Sequence, residues 1–166
     1  MGDTAPDTLA WRRELLPGDR DAVDALVRST GFFSREETAV AVELVDERLA
    51  QGEASGYLFL FALAGGVAAG YACYGPITAT RCSYDLYWIA VRGDMRGRGI
   101  GGRLLAETEK LIRERGGCRL YAETSSSPRY APTRRFYERH GFVREAVLED
   151  FYAPGDGKAV YVKQLR

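Results

Sequence analysis

The chain has 166 residues, 23 Lys plus Arg against 23 Asp plus Glu, and 46% hydrophobic residues. This length suits one domain with a core of its own, and zero formal charge argues against a nucleic-acid surface. No apolar run is long enough to cross a membrane and no charged-then-apolar leader opens the chain, so the expected place is the cytoplasm. Cys73, Cys82 and Cys118 form no CxxC pair, and there is one histidine. The expectation is therefore reduced, structural cysteines and no metal site.

Met1 to Asp7 reads as a loose tail, and 8–166 as a single domain. Thr8 to Leu16 reads as a strand. Pro17-Gly18 turns, and Asp19 is placed as N-cap of a helix with Val23, Leu26, Val27 and Thr30 inward. Ser34 and Glu37 form a capping box for a second helix through Val42, Val45 and Leu49. Phe33, just before it, is read as a hydrophobic staple, while Phe32 is left open between packing and a pocket mouth. Tyr57 to Ala64 and Val67 to Tyr74 read as a hairpin about Gly65-Gly66. An extended piece reaches Arg81. After a central strand and a helix, Gly116-Gly117 is a stop signal. Cys118 to Thr124 is a strand, and Pro132 opens a helix ending at His140-Gly141. Phe142 to Tyr152 and Lys158 to Leu165 are strands of a last hairpin. This order predicts a mixed α/β (α+β) domain with a mostly antiparallel sheet of about six to seven strands and about four helices.

The chain is organised around Tyr84 to Leu105. An apolar strand, Leu86 to Val91, passes through a polar turn into Arg96-Gly97-Arg98-Gly99-Ile100-Gly101-Gly102-Arg103. A helix follows with Leu104, Leu105, Thr108, Leu111 and Ile112 on one face. Strand, glycine turn and helix N-terminus make an anion site, because the first amides of a helix lack internal acceptors and the helix dipole adds positive charge. Gly97, Gly99 and Gly102 satisfy GxGxxG, with Glu123 about twenty residues on. One alternative is therefore an NAD- or flavin-dependent oxidoreductase with Glu123 on the ribose. Against it, Arg92 to Arg96 separate strand from glycines, and a long strand-rich region precedes the motif.

The segment Arg96 to Gly101 resembles the pyrophosphate loop of the GNAT family of N-acetyltransferases. Phe136-Tyr137-Glu138-Arg139-His140-Gly141-Phe142 is similar to that family's tyrosine helix followed by Gly-Phe. Two motifs in this order extend the resemblance over nearly the whole chain. It implies the acyl-CoA N-acyltransferase fold and transfer of acetyl from acetyl-CoA to a primary amine by direct attack. It implies cofactor contacts from Ile89, Ala90 and Val91, with a backbone amide at or near Val91 facing the oxyanion. It further implies contacts from Arg96, Gly97, Arg98, Gly99, Ile100, Gly101 and Gly102. The family's Asn position holds Tyr130 here, so Ser125 is a candidate substitute beside Thr124 and Ser127. Arg129, Arg134 and Arg135 are candidates for the 3′-phosphate, against ordinary surface charge.

Tyr137 is the implied acid for the leaving thiolate, where the residue alone reads as a core aromatic. Asp85 is the candidate base. It shares a strand face with Tyr87, Ile89 and Val91, and an acid in so apolar a strand is costly unless used. A solvated strand-end residue is an equal reading. The acceptor, a small molecule or a peptide amine, is expected beside Phe32, Phe33, Asp85 and the hairpin at Asp150, Phe151 and Tyr152. A homodimer through the C-terminal strands is a further expectation. A non-catalytic acyl-CoA sensor is the remaining alternative.

Overall fold

The computed structural model describes residues 8–165. The expected tail over 1–7 lies outside them. The elements are β1 (Ala10–Arg12), α1 (Asp19–Ser29), α2 (Arg35–Gln51), β2 (Leu58–Ala64), β3 (Val67–Pro76), β4 (Ser83–Val91), α3 (Ile100–Glu114), β5 (Arg119–Ser125), α4 (Ala131–Arg139), β6 (Val143–Ala153) and β7 (Asp156–Gln164). Seven strands form a sheet in the order β1-β2-β3-β4-β5-β7-β6. β4 and β5 run parallel, and α3 lies between them in sequence as a parallel connection requires. The β1–β2, β2–β3, β5–β7 and β6–β7 pairs are antiparallel. This is the mixed sheet with four helices that the sequence predicts. The residues group into two compact units, one of the chain up to Tyr74 with Trp88–Thr108, the other of Gly75–Tyr87 with the chain from Glu109.

In the first unit, Val23, Leu26 and Val27 of α1 and Ala41 and Val45 of α2 pack with Phe59, Phe61, Tyr71 and Cys73. Gly65 and Gly66, at φ +58° and +81°, make the hairpin turn that only glycine enters cheaply. The capping box forms: Glu37 N–H donates to Ser34 Oγ (3.1 Å) and Ser34 N–H to Glu37 Oε2 (2.7 Å). Four readings change. β1 spans only Ala10–Arg12, because Arg12 turns its guanidinium onto Asp19 at 2.7 and 2.8 Å. Asp19 is consequently no cap; its buried carboxylate takes Arg12 and the Leu16 amide, and Gly18 is the N-cap. A bidentate charge-assisted pair outcompetes a single capping bond. Phe33 is no staple, because the facing position is Thr38, whose hydroxyl bonds Ser34 O (2.8 Å). Its ring instead meets Phe32 at 5.1 Å and Trp88 at 4.9 Å. Leu49 is exposed rather than inward.

In the second unit, Gly116 N–H bonds Arg113 O (2.9 Å) and Gly117 N–H bonds Ile112 O (2.8 Å). This double closure ends α3 with Gly116 at φ +82°. The extended piece expected up to Arg81 is a turn, closed by Thr80 N–H on Ile77 O. Glu109 is buried, with Lys163 Nζ at 2.7 Å. The cysteine expectation is overturned for two of the three: Cys82 and Cys118 are joined by a disulfide, Cα to Cα 5.3 Å. The register Ser83↔Arg119 sets the residues preceding β4 and β5 side by side, and Cys118 N–H bonds Cys82 O (2.9 Å). Cys73 is free and buried. No helix among the described residues is long and apolar enough to cross a membrane.

Candidate functional site

The first unit carries the glycine turn. A bulge at Ala69 opens β3, where the register passes from Leu63↔Ala68 to Ala62↔Gly70. Ala69 O takes the Arg92 N–H (2.8 Å), which removes that amide as an oxyanion donor and leaves Val91 and its other neighbours. Gly70 of β3 lies beside β4, where an added Cβ would sit 2.9 Å from Ala90 O. Gly93 N–H donates to Ser29 Oγ (3.0 Å), and a Cβ there would fall 2.1 Å from Ser29 O. Met95 is buried beyond it. The turn is therefore anchored by packing ahead of Gly97.

Gly97 and Gly99 differ from Gly93. They have φ of +75° and +73°, and a Cβ at either would meet nothing within 4 Å. Their glycines serve the left-handed backbone and an open approach, not packing. Gly99 O accepts Arg103 N–H (3.2 Å), so α3 starts at Ile100. The amides of Ile100, Gly101 and Gly102 precede any helical acceptor and point outward at the positive end of the dipole. Ile100 offers its amide alone, since its side chain is buried. Arg96 is spent elsewhere: its guanidinium donates to Thr30 O (3.0 Å), the C-cap of α1. Arg98 is exposed. Ala90 is buried, while Ile89 and Val91 are half-buried.

The second unit carries the titrating groups. Tyr137 on α4 is buried, with ring centroids of Phe142 at 5.2 Å, Phe136 at 5.7 Å and Tyr161 at 5.9 Å. Burial alone pushes its phenol well above the ordinary value, so it remains protonated at neutral pH. Asp85 lies on β4 opposite Tyr121 of β5. Burial first, and then the charge of Glu123, raise its carboxyl above the usual range, while Lys158 opposes them. Lys158 Nζ sits 2.8 Å from Glu123 Oε2 and 3.9 Å above the Phe151 ring. The sequence marked Glu123 only as a ribose acid and did not mark Lys158; nothing local signals their pairing.

Other candidates are committed. The Ser125 hydroxyl bonds Asp156 Oδ1 and Ser127 Oγ (2.8 Å), and also accepts the Ser127 N–H (3.0 Å). Arg134 Nη1 holds the Ser125 and Ser127 carbonyls at 2.7 and 2.8 Å, which fixes the loop rather than offering the guanidinium to a phosphate. His140 Nδ1 lies 2.7 Å from Phe136 O. Asp150 caps the last turn, accepting the Gly155 N–H (2.7 Å) from a backbone at φ +53°. The dinucleotide alternative fails on the fold: the sheet is mostly antiparallel and Glu123 is held by Lys158.

The first unit holds a turn of left-handed glycines ahead of α3, and the second holds a protonated tyrosine and a carboxylate of raised basicity, each a kind of group that acyl transfer to an amine can use. A protein of the GNAT family from Desulfovibrio desulfuricans shares 53% identity and a TM-score of 0.93, over 96% of this chain and 100% of that one. An aminoglycoside 6′-N-acetyltransferase solved with coenzyme A has the same fold at 19% identity, with a TM-score of 0.77 over 96% and 97% of the two chains. Blasticidin-S acetyltransferase of Streptomyces morookaense is 37% identical over 81 residues, 49% of this chain and 55% of its own length. The chain thus spans about half the length of that curated relative. The profile described as the acetyltransferase (GNAT) family matches residues 21–142. The chain belongs to the GNAT family of acetyltransferases.

Proposed function

We propose that residues 8–166 act as one catalytic domain that transfers the acetyl group of acetyl-CoA to a primary amine by direct attack in a ternary complex. The open turn at Gly97 and Gly99 carries this reading, because both take the left-handed backbone and neither puts a side chain into the open space ahead of α3. Gly97, Gly99 and the amides of Ile100, Gly101 and Gly102 hold the pyrophosphate, with Arg98 adding charge. The strand end Ile89 to Val91 presents backbone to the arm that carries the thioester, and the Val91 amide donates to the carbonyl oxygen as negative charge develops there. Ser125 serves this reading through the loop it orders rather than through a free hydroxyl.

Asp85 takes a proton from the acceptor ammonium, directly or through water, since only the neutral amine attacks. The new C–N bond forms, the C–S bond breaks, and the proton that the attacking nitrogen must still lose passes to the departing thiolate, directly or through water. Tyr137 donates a hydrogen bond to that sulfur as it leaves. A phenol raised above its usual value of about 10 releases a proton less readily than a thiol near 8.5, so hydrogen-bond donation is its main contribution. Direct attack is supported by the cysteines: two are in a disulfide, and burial pushes the Cys73 thiol far above its ordinary range.

The acceptor is a cationic amine, either a small molecule or a peptide terminus. The carboxylate of Asp85 and the exposed rings of Phe151 and Tyr152 suit such a charge. The relative that acts on blasticidin S, 37% identical over 81 residues, favours a small molecule. A homodimer through β6, the exposed edge strand, is part of the proposal, with sedimentation as its test. The cytoplasm remains the proposed compartment and requires Cys82 and Cys118 to stay joined against reducing conditions.

A thermal melt beside acetyl-CoA and beside NAD tests the cofactor. Ligand at a hundred times its dissociation constant stabilises by about 2.7 kcal/mol. A shift with acetyl-CoA alone supports the reading, and a shift with NAD alone overturns it. Binding of acetyl-CoA with no acetylation of any amine identifies a sensor instead.

A further inference from the structure

Asp85, Glu123 and Lys158 come from three neighbouring strands and share one sheet face. Asp85 pairs with Tyr121, and Glu123 lies two residues further along β5, on the same side of the pleat. Glu123 pairs with Val160, and Lys158 lies two residues before it on β7, which makes the carboxylate and ammonium diagonal neighbours. Lys158 is only 15% exposed at the side chain, against 48% for Glu123. Its ammonium is held between that carboxylate and the Phe151 ring, at 2.8 and 3.9 Å. A partly exposed ion pair of this kind adds little stability. What it does fix is the sign and place of the charge beside Asp85.

We propose that Glu123 and Lys158 are positioning residues for Asp85, a pair of opposite charges on the adjoining strands that governs when its carboxylate takes a proton from the acceptor. The inference rests on the reading of Asp85 as the base. The titratable and charged groups of this face are Tyr87 on β4, Arg119, Tyr121 and Glu123 on β5, and Lys158 and Asp156 on β7, the last of which accepts the Ser125 hydroxyl. β3, the other neighbour of β4 in the sheet order, has no charged residue over Val67–Pro76. Of these groups, Glu123 and Lys158 act on Asp85 in opposite directions, Glu123 disfavouring its ionisation and Lys158 favouring it.

The experiment is a titration of the Asp85 side-chain carboxyl by carbon NMR in the wild type, Glu123→Gln and Lys158→Met, beside the pH dependence of kcat/KM. Glu123→Gln lowers the Asp85 midpoint by roughly half a pH unit and Lys158→Met raises it by a similar amount, the size of one partly screened charge. The acid limb of kcat/KM moves with each. Phe151→Leu, which removes the ring under the lysine but keeps both charges, moves the midpoint the same way as Lys158→Met and by less. Midpoints that stay fixed, or that move the same way in Glu123→Gln and Lys158→Met, overturn the proposal and leave a structural pair. Midpoints that move apart while the acid limb stays fixed overturn Asp85 as the base and retain only the control of its ionisation.

Discussion

The turn between β4 and α3 and the sheet face around Asp85 solve two binding problems by different means. The turn works with backbone: Gly97 and Gly99 clear the way to helix amides, and the relevant residues are contiguous from Gly97 to Gly102. The face works with side chains from β4, β5 and β7, brought together by pairing across 38 residues from Asp85 to Glu123 and 35 more to Lys158. A backbone site tolerates most changes that leave its glycines alone. A face built by register depends on every element that holds the register.

The largest expected effect lies on the face. The Cys82–Cys118 bond closes a separation of 36 residues at the heads of the two parallel strands. Loss of it in Cys82→Ser should cost about 3–4 kcal/mol in denaturant unfolding by the loop-entropy relation. Acetyl-CoA affinity at the turn should survive, and a collapse of both together would erase the distinction between the two regions. Mass measurement of the purified protein with and without reductant checks that the bond is present.

Tyr137→Phe should follow, lowering turnover by about a hundredfold. The acetyl-CoA dissociation constant should stay within about twofold, because the phenol acts on the departing sulfur. A rise in that constant with unchanged turnover would move Tyr137 from chemistry to packing. Gly97→Ala should be milder, raising KM for acetyl-CoA about tenfold with kcat unchanged. The left-handed backbone adds strain of about 1 kcal/mol, and the new methyl stands in the phosphate's approach. Gly93→Ala sharpens the contrast, since its Cβ would collide with Ser29 O and should unfold the first unit rather than raise KM.

Asp85→Asn should slow turnover several-fold and remove the acid limb of kcat/KM. Its stability effect has a definite sign. A carboxyl whose pKa is raised by folding contributes stability below its unfolded value, about 3.9, and loses it as pH rises through the folded value. Asp85→Asn should therefore melt higher than the wild type at pH 7 and lose that advantage near pH 3. A variant that melts lower at pH 7 would show Asp85 to be a structural partner.

The same contrast explains what the sequence revealed. The Ser34–Glu37 box, the Gly65-Gly66 hairpin, the Gly116-Gly117 stop and the glycine turn are local, and each residue type is dictated by backbone conformation within a few positions. Their physics is complete in the segment that carries them. Strand register is not, because it follows from which faces are buried and which strands become neighbours. The disulfide was invisible for that reason, as was the Glu123–Lys158 pair. Competition between partners hid the rest. Asp19 had the look of a cap until Arg12 claimed it, and Asp150 had the look of an acceptor contact until Gly155 did.

The central claim is acetyl transfer to an amine. Its most direct test is thiol release from acetyl-CoA, followed with a thiol reagent across a panel of cationic primary amines, for the wild type and Tyr137→Phe. The expected result is amine-dependent release in the wild type that drops about a hundredfold in Tyr137→Phe. Acetyl-CoA that binds tightly but releases no thiol above background with any amine would contradict the claim and leave a protein that senses the cofactor without using it.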